Sequence, residues 1–239
     1  PVFGRRPGWS RLVDAANNAL NDWDASARPT IDAVSRKTLA TLPRRRPAEV
    51  FVSVGRLTTQ KAALFLEPTT NGSSALETIL EKLGKRGVLI MLGSGDAQLE
   101  QRMAEIAAAH KNFLFLCGFS EILADMLYQA GDFFLMPSSF EPCGISQMLA
   151  MRTGQPCIAH AVGGLKDTIR HDVTGFLFKG DTPTAQADNF VASVLHARQI
   201  KTADPEHWQD MRKLAAAERF SWKVAAAHYE KEMYEPRGS

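Results

Sequence analysis

The sequence predicts an α/β fold in which helices cover both faces of a doubly wound, parallel β-sheet. Short, continuous apolar runs alternate with stretches whose apolar residues recur at helical spacing. Strands of this kind are buried on both faces, which is typical of parallel sheets with right-handed crossover connections. The predicted strands are residues 49–54, 87–92, 113–117, 132–136, 156–160 and 175–178.

Helices are expected between these strands. Residues 74–82 carry apolar side chains on one side, and so does the segment around Met103. Ser120 is placed as the N-cap of a helix that continues to Ala130. Residues 55–61 and 161–164 are expected to be loops, and three helical stretches are expected to follow the last strand.

The N-terminal part is expected to differ from the rest of the chain. Residues 1–48 predict a helix, between Trp9 and Trp23, and a linker, whereas residues 49–239 predict the sheet domain with its C-terminal helices. The run Arg44-Arg45-Arg46 is interpreted as a solvated part of the linker.

A possible metal motif lies in this N-terminal part. Asp22-Trp23-Asp24 matches a D-x-D pattern that can hold Mg²⁺ or Mn²⁺ through carboxylates, but no apolar strand precedes it. No metal is therefore expected there. The chain begins at Pro1 without Met, which suggests a piece of a longer protein.

The composition is that of a globular protein with a substantial core, since 45% of the residues are apolar and 23% are charged. A formal charge of +2 is too small to indicate a nucleic-acid partner. Three cysteines cannot all pair within the chain and lack metal-binding spacing, so a reducing, cytosol-like compartment is expected. No apolar run approaches the roughly 20 residues of a membrane-spanning helix.

Glycines, cations and an aromatic residue follow the predicted strands. Because parallel strands all end at the same edge of a sheet, the segments that follow them become neighbours there, where open α/β sheets bind ligands. These segments fit a ligand with a phosphate group and a planar base. They are residues 55–61, 93–96, 118–119, 137–146 and 161–164.

The segment 137–146 is the most informative of these. Pro137 and Pro142 prevent regular structure around Glu141, which is therefore held on a stiff loop at a strand end. The helical pattern begins at Gly144, so the amides of residues 144–146 are expected at a helix N-terminus, where anions bind. Glu141 is either a functional carboxylate or half of a structural ion pair.

The other candidates have alternatives as well. Arg56 and Lys61 are either phosphate ligands or ordinary loop cations. The pattern Gly93-x-Gly95 is either part of a nucleotide site or a tight turn. Phe119 could be a core residue, and Cys143 is of a type that is most often an unreactive, buried thiol.

Several of these segments, in the same order, resemble motifs of bacterial glycogen synthases and plant starch synthases. Those enzymes are retaining glycosyltransferases of the two-domain GT-B type, and the resemblance covers residues 48 to about 235, their C-terminal, Rossmann-like half. The matching segments are residues 54–61 (Val-Gly-Arg-Leu-Thr-Thr-Gln-Lys), 92–96 (Leu-Gly-Ser-Gly-Asp), 136–147 with Glu-Pro-Cys-Gly at 141–144, 163–168 (Gly-Gly-Leu-Lys-Asp-Thr), 174–176 (Thr-Gly-Phe) and 220–222 (Phe-Ser-Trp).

The resemblance implies transfer of glucose from ADP-glucose, or UDP-glucose, to the nonreducing end of an α-1,4-glucan, with the anomeric configuration retained. It implies that Arg56 and Lys61 bind the donor's diphosphate and stabilise the charge that grows on the departing nucleotide. It places Glu141 beside the donor sugar, so these three are the candidate catalytic residues. The candidate donor-binding residues are Gly144, Ile145, Ser146, Phe119 over the adenine, Cys143, Gly163 and Gly164.

The resemblance also implies that no cofactor or metal ion takes part. The acceptor glucan is expected to bind an N-terminal domain that this sequence lacks, so the fragment alone is expected to transfer little or nothing. The expected location is the cytoplasm of a bacterium or a plant plastid, without a membrane span or a nucleic-acid partner.

Two departures from the family pattern leave other functions open. Ala62 stands where the family usually has Gly, and His160-Ala161-Val162 replaces basic residues. One alternative is another retaining GT-B transferase that uses UDP- or GDP-sugars, although the second Glu typical of those enzymes is here Leu149. The other is a noncatalytic module that binds nucleotide or glucan.

Overall fold

A computed structural model describes residues 6–23 and 27–220 of the chain. In these ranges one six-stranded sheet lies between layers of helices. The sequence predicted each strand to within about one residue at either end. The strands are β1 (Glu49–Val54), β2 (Gly87–Leu92), β3 (Phe113–Leu116), β4 (Phe133–Met136), β5 (Cys157–His160) and β6 (Gly175–Phe178).

The strand order is β3-β2-β1-β4-β5-β6, and every neighbouring pair is parallel. From β1 the chain moves outward on one side of the sheet, then returns to place β4 on the other side of β1. The connections after β1 and β4 therefore diverge and leave a crevice at the carboxyl edge of the sheet. This arrangement confirms the predicted α/β, doubly wound parallel sheet.

Ten helices accompany the strands in the described part of the chain. Several begin at the polar caps that their sequences supply: Ser74 and Glu77 form a reciprocal capping box, and Ser120 accepts a hydrogen bond from the amide of Leu123. The helices are α1 (Trp9–Asp22), α2 (Pro29–Thr41), α3 (Thr59–Leu66), α4 (Ala75–Leu83), α5 (Ala97–Ala109), α6 (Glu121–Ala130), α7 (Ser146–Arg152), α8 (Gly163–Thr168), α9 (Pro183–Ala203) and α10 (Pro205–Ala217).

The sheet separates two apolar cores. One contains side chains of α3, α4, α5 and α9, and the other contains side chains of α1, α6, α7 and α8. Helix α2 lies beside the edge strand β3 and reaches both cores, with Ile31 in the first and Leu39 in the second. Ser35 fixes this helix to the strand, because its hydroxyl donates a 2.5 Å hydrogen bond to the carbonyl of Phe115.

The N-terminal part differs from the prediction of one helix and a linker. Residues 29–41 form a second helix, α2, and both α1 and α2 pack on the sheet. The sequence did not reveal α2 because its polar residues, among them the buried Asp32, interrupt the apolar pattern. The division of the chain at residue 48 stays a prediction. Asp24 of the D-x-D pattern and residues 221–222 of the last motif lie outside the described ranges.

Two predicted loops also contain helices. Helix α3 begins within residues 55–61, where the amide of Ala62 donates to the carbonyl of Thr58 at 2.8 Å. Helix α8 begins at Gly163, within the predicted loop 161–164. Both helices are short, eight and six residues, and too few apolar positions mark them for a periodic pattern to be recognised.

A group of charges at the opposite, amino edge of the sheet is named here the amino-edge cluster: Arg6, Arg46, Asp132 and Lys201. The Asp132 carboxylate is fully buried and lies 2.8 Å from Arg6 Nη1, 2.8 Å from Lys201 Nζ and 3.3 Å from Arg46 Nη1. It also accepts a hydrogen bond from the amide of Val50 at 2.9 Å. The prediction that the arginine run 44–46 is wholly solvated is therefore wrong for Arg46.

The three cysteines are free thiols, with Cys117 and Cys157 buried and Cys143 exposed. Burial raises the pKa of Cys117 to about 12, so this thiol is unreactive, whereas the alternative of a buried Cys143 is wrong. In the described part of the chain no helix is both long and apolar enough to cross a bilayer. Those residues also contain no group of three or more His, Cys, Asp or Glu side chains placed to hold a metal ion, and the absence of a metal requirement stays a prediction.

Candidate active site

The crevice between β1 and β4 brings together side chains that are far apart in the sequence. Arg56 and Lys61 approach from the β1 side, and Pro137, Ser138 and Ser146 from the β4 side. This is the edge at which open parallel sheets bind their ligands. The predicted convergence of the segments 55–61 and 137–146 is therefore present in the structure.

The loop that carries Arg56 is pinned to the loop after β2. The amide of Leu57 donates to the carbonyl of Ser94 at 3.0 Å, and the amide of Asp96 donates to the carbonyl of Leu57 at 2.8 Å. A Cβ atom at Gly93 or Gly95 would lie 1.9 or 2.2 Å from a carbonyl oxygen of this loop. These two glycines are thus needed for close packing of two loops, which favours the structural alternative for the Gly93-x-Gly95 pattern.

Arg56 and Lys61 differ in whether their side chains have a partner in the protein. The Arg56 side chain is exposed and has no hydrogen-bond or ion-pair partner among the described residues. Lys61, in the first turn of α3, donates a 2.9 Å hydrogen bond from Nζ to Glu141 Oε2. One cation is therefore open to a ligand, and the other is shared with a carboxylate.

Glu141 is held from several directions. Its side chain is 8% exposed, against 28% for Lys61. Its carbonyl accepts a hydrogen bond from the amide of Gly164 at 2.9 Å, and the amide of Ser139 in the same loop donates to the carbonyl of Gln60 at 2.7 Å. The ion pair that the sequence left open is present, and the loop around it is fixed to α3 and α8.

Gly163 and Gly164 serve this packing directly. A Cβ atom at Gly163 would lie 2.1 Å from the carbonyl oxygen of Glu141, and one at Gly164 would lie 2.1 Å from that of Cys143. Both positions therefore require glycine for α8 to approach the 141–143 loop. The donor-binding role predicted for these residues and for Cys143 stays a prediction.

The turn before α7 also requires glycine, because Gly144 has a φ of +78°. Buried Gln147 stabilises the turn by donating from Nε2 to the carbonyls of Cys143 and Gly144 at 3.1 and 3.0 Å. The helix begins at Ser146 rather than Gly144, with Ile145 as its N-cap. The amides of Gly144 and Ile145 donate to no acceptor in the described part of the chain; Gly144 is buried, whereas Ile145 is exposed.

Two of the residues that depart from the family pattern, Ala62 and His160, are buried. Ala62 is 2% exposed and packs in the core beneath α3. Burial lowers the pKa of His160, whose Nδ1 lies 3.1 Å from the carbonyl oxygen of Ser138. Since a carbonyl only accepts, the neutral ring carries its proton on Nδ1 and holds the strand-end loop in place.

Phe119 lies apart from the crevice, beyond the end of β3. Its ring is 79% exposed, so the alternative of a core residue is wrong. The carbonyl of Phe119 accepts a 2.8 Å hydrogen bond from Trp23 Nε1, and the Trp23 ring packs on Gly118. Sequence reasoning missed the contribution of Trp23, because nothing in the pattern indicates that the segment after α1 reaches β3.

The chain matches a known family of proteins. The family model described as "Glycosyl transferases group 1" matches residues 48–195, which include β1 to β6 and the whole crevice. This chain belongs to that family. The matched residues do not include α1 and α2.

This glycosyltransferase-family chain is similar to curated glycogen synthases. The glycogen synthase of Pseudomonas fluorescens (strain Pf0-1) is 35% identical over 232 residues, which are 95% of this chain and 44% of that protein. The glycogen synthase of Moorella thermoacetica (strain ATCC 39073 / JCM 9320) is 32% identical over 197 residues, which are 79% of this chain and 37% of that protein. The chain thus spans about two fifths of the length of these relatives.

Solved structures agree with the sequence relatives. The catalytic domain of starch synthase IV from Arabidopsis thaliana, bound to ADP and acarbose, has a TM-score of 0.62 and 26% identity, and the match covers 85% of this chain and 41% of that one. Anabaena HepE in complex with UDP-glucose, at 16% identity and a TM-score of 0.57 over 87% of this chain and 53% of its own, shares the fold. The predicted resemblance to glycogen and starch synthases, and the GT-B character of the fold, are confirmed.

Proposed function

We propose that this chain is the donor-binding domain of a retaining glucosyltransferase that transfers glucose from ADP-glucose, or UDP-glucose, to the nonreducing end of an α-1,4-glucan. The observation that carries the proposal is the crevice between β1 and β4. There Arg56 and Lys61 line one wall and Ser146 lines the other, and Lys61 is paired with Glu141. Similarity to glycogen synthases and to an ADP-bound starch synthase supports the choice of substrate.

The proposed chemistry is electrostatic. As the bond between glucose and the diphosphate breaks, negative charge grows on the departing nucleotide. Arg56 and Lys61 are fixed cations that stabilise this charge, and the amides of Gly144 and Ile145 donate hydrogen bonds to phosphate or sugar oxygens. With these groups present, the reaction needs no metal ion to neutralise the diphosphate.

Glu141 acts at the sugar end of the proposed site. Its carboxylate accepts a hydrogen bond from Lys61 in the structure and retains further acceptor capacity for a sugar hydroxyl. Lys61 thus links the diphosphate end of the site to the sugar end. The acceptor glucan would be supplied by another domain, so we expect the chain alone to bind donor and to transfer little.

Titration of the chain with ADP and UDP, by calorimetry, tests the proposal. We expect measurable binding of ADP that Lys61→Ala weakens by roughly 10-fold or more, since hydrogen bonds to charged groups contribute about 1.5–3 kcal/mol. Lys85→Ala is the matched control, because Lys85 is exposed on the turn before β2. If the wild-type chain binds neither nucleotide, the proposed function is wrong.

Glu141→Gln tests the sugar end separately. We expect it to weaken ADP-glucose relative to ADP, because the amide is a poorer acceptor for a sugar hydroxyl than the carboxylate is. ADP itself should bind as well as before or more tightly, because the neutral amide competes less strongly than the carboxylate for Lys61. Calorimetric affinities of both ligands for both proteins give the ratio. An unchanged ratio would show that Glu141 is only a structural partner of Lys61.

A further inference from the structure

The side chain of Gln147, in α7, connects three parts of the crevice wall. It is completely buried, and its Nε2 donates to the carbonyls of Cys143 and Gly144 at 3.1 and 3.0 Å. The same atom lies 3.3 Å from Oγ1 of Thr168, the last residue of α8. Gln147 therefore joins α7 both to α8 and to residues 141–144, the loop that carries Glu141.

A second branch of this network leads back to the same loop through α8. The Thr168 hydroxyl donates to the carbonyl of Gly164 at 2.6 Å, and the amide of Gly164 donates to the carbonyl of Glu141 at 2.9 Å. Gln147 thus reaches the loop directly at Cys143 and indirectly at Glu141. Because the two points of attachment are two residues apart, the network fixes the backbone on which the Glu141 side chain is mounted.

The neighbouring oxygens decide which atom of the Gln147 amide faces the loop. Carbonyl oxygens only accept hydrogen bonds, and the Thr168 hydroxyl gives its proton to the carbonyl of Gly164. The group that lies among these oxygens must therefore be the NH2 group of Gln147. Its role is to supply protons to the loop.

This donor also matters for the Glu141 carboxylate. The ion pair with Lys61 does not fix where the carboxylate lies, because a lysine side chain is flexible. The backbone of the loop has to fix it. Without the Gln147 donor, two adjacent carbonyls would lose the partner they share, and peptide groups left unpaired in buried surroundings turn towards water. The Glu141 side chain would move with them.

Gln155 has the same arrangement at the opposite edge of the sheet. This glutamine is also buried, and its Nε2 donates to two adjacent carbonyls, those of Leu127 and Tyr128, both at 3.1 Å. In both glutamines Oε1 is buried without a hydrogen-bond partner in the described part of the chain. The carbonyls that Gln155 binds belong to the end of α6, before β4. The same chemistry thus stabilises a helix end in one place and the loop 141–144 in the other.

We propose that Gln147 is a positioning residue that holds the Glu141 carboxylate where it accepts a hydroxyl of the donor sugar. This inference rests on the proposed function, because it takes the sugar end of the site to lie at Glu141. Gln147 acts through the loop and binds no substrate itself. Its contribution should therefore appear in the affinity for ADP-glucose relative to that for ADP, which lacks the sugar.

The test compares Gln147→Met with its matched control, Gln155→Met. Urea unfolding should show similar shifts of the midpoint for the two variants, because each removes one donor from two buried carbonyls. Calorimetry, at a temperature where both variants are folded, should show that only Gln147→Met lowers the ratio of ADP-glucose affinity to ADP affinity. We expect a decrease of roughly 3- to 10-fold, the range for one hydrogen bond. Equal ratios for the two variants overturn the positioning role.

A double-mutant cycle shows whether Gln147 acts through Glu141. In Glu141→Gln the sugar hydroxyl has already lost its charged acceptor, so adding Gln147→Met should change the ratio no further. If the two substitutions lower the ratio independently, so that their effects add, Gln147 does not position Glu141.

Gln147→Asn decides the question if Gln147→Met does not fold. Its amide is one methylene shorter and cannot reach both carbonyls, so it should lower the ratio in the same direction by a smaller factor. A wild-type ratio in this variant overturns the inference and leaves the proposed function intact. A wild-type chain that binds neither ADP nor ADP-glucose overturns both.

Discussion

The two edges of the sheet carry the same kinds of charged side chain in opposite arrangements. At the amino edge the carboxylate of Asp132 is completely buried, and three cations and an amide contact it. At the carboxyl edge the Glu141 carboxylate has one cation, Lys61, while Arg56 remains open to solvent. The first arrangement satisfies its carboxylate without a ligand, and the second leaves the exposed guanidinium of Arg56 without a partner among the described residues. This difference is expected if the amino edge stabilises the fold and the carboxyl edge carries the proposed ligand site.

The two edges do not have different roles if charged residues at both have similar effects on stability and on nucleotide affinity. Variants at the amino edge should change the free energy of unfolding and leave nucleotide affinity intact, and variants at the carboxyl edge should do the reverse.

The largest effect on stability is expected for Asp132→Asn. Removing this charge leaves Arg6, Arg46 and Lys201 together without a counter-ion, and breaking a buried pair in this way costs about 3–5 kcal/mol. Urea unfolding should show the loss, with Asp14→Asn as the exposed control. ADP affinity at a temperature where the variant is folded should be unchanged, and a change in unfolding free energy below roughly 1 kcal/mol would contradict the assignment.

The contribution of Asp132 to the free energy of unfolding is expected to depend on pH. Burial raises the pKa of Asp132, but Lys201, Arg6 and Arg46 outweigh this effect and hold the pKa below its usual value. A carboxylate whose pKa is lowered by folding contributes stability above its unfolded pKa of about 3.9, and this contribution is lost as the pH falls through the folded value. The stability difference between wild type and Asp132→Asn should therefore be full near neutral pH and shrink below about pH 4.

An intermediate effect is expected for Gly164→Ala. The new Cβ atom would lie 2.1 Å from the carbonyl of Cys143, and overpacking of this kind costs about 1–3 kcal/mol. Because the displaced loop carries Glu141, binding of ADP-glucose should weaken as well. Gly55→Ala is the control within the same crevice, since its Cβ atom would meet nothing within 4 Å. Equal unfolding curves for the two variants would show that α8 does not position the loop.

The smallest effect on stability is expected for Arg56→Ala. The side chain is exposed and has no partner among the described residues, so the free energy of unfolding should change by less than about 0.5 kcal/mol. ADP affinity should nevertheless fall roughly 10-fold, because a charged contact to the diphosphate is lost. Arg44→Ala, another exposed arginine, should change neither quantity. If Arg56→Ala binds ADP as tightly as the wild-type chain does, Arg56 does not contact the diphosphate.

The sequence revealed the sheet because its strands are continuous apolar runs, a pattern that depends only on neighbours in the chain. The grouping of Arg56, Lys61 and Glu141 followed from the parallel topology, which brings all strand ends to one edge. The sequence left an ion pair as one of two alternatives for Glu141. It could not decide, because the pairing of Glu141 with Lys61, 80 residues away, depends on how the loops pack. The role of Gly93 and Gly95 could not be predicted from the sequence for the same reason, since these glycines pack against the loop that carries Arg56.

The N-terminal helices were the least predictable part. Asp32 and Ser35 are polar side chains buried within α2, so they remove the apolar periodicity that marks a surface helix. Their burial follows from the edge strand β3 beside them. No pattern within residues 27–41 indicates that α2 packs against β3.

The position of α1 and α2 also affects where this chain can be joined to a related transferase in a chimera. The family match begins at residue 48, which is a natural junction for exchanging domains between related transferases. A chimera joined there would keep the proposed phosphate-binding crevice but would take Trp23, Arg28 and Asp32, which line the cavity beside Phe119, from the other parent. A junction placed before Trp9 would keep α1 and α2 together with the sheet, so that the crevice and this cavity come from one parent.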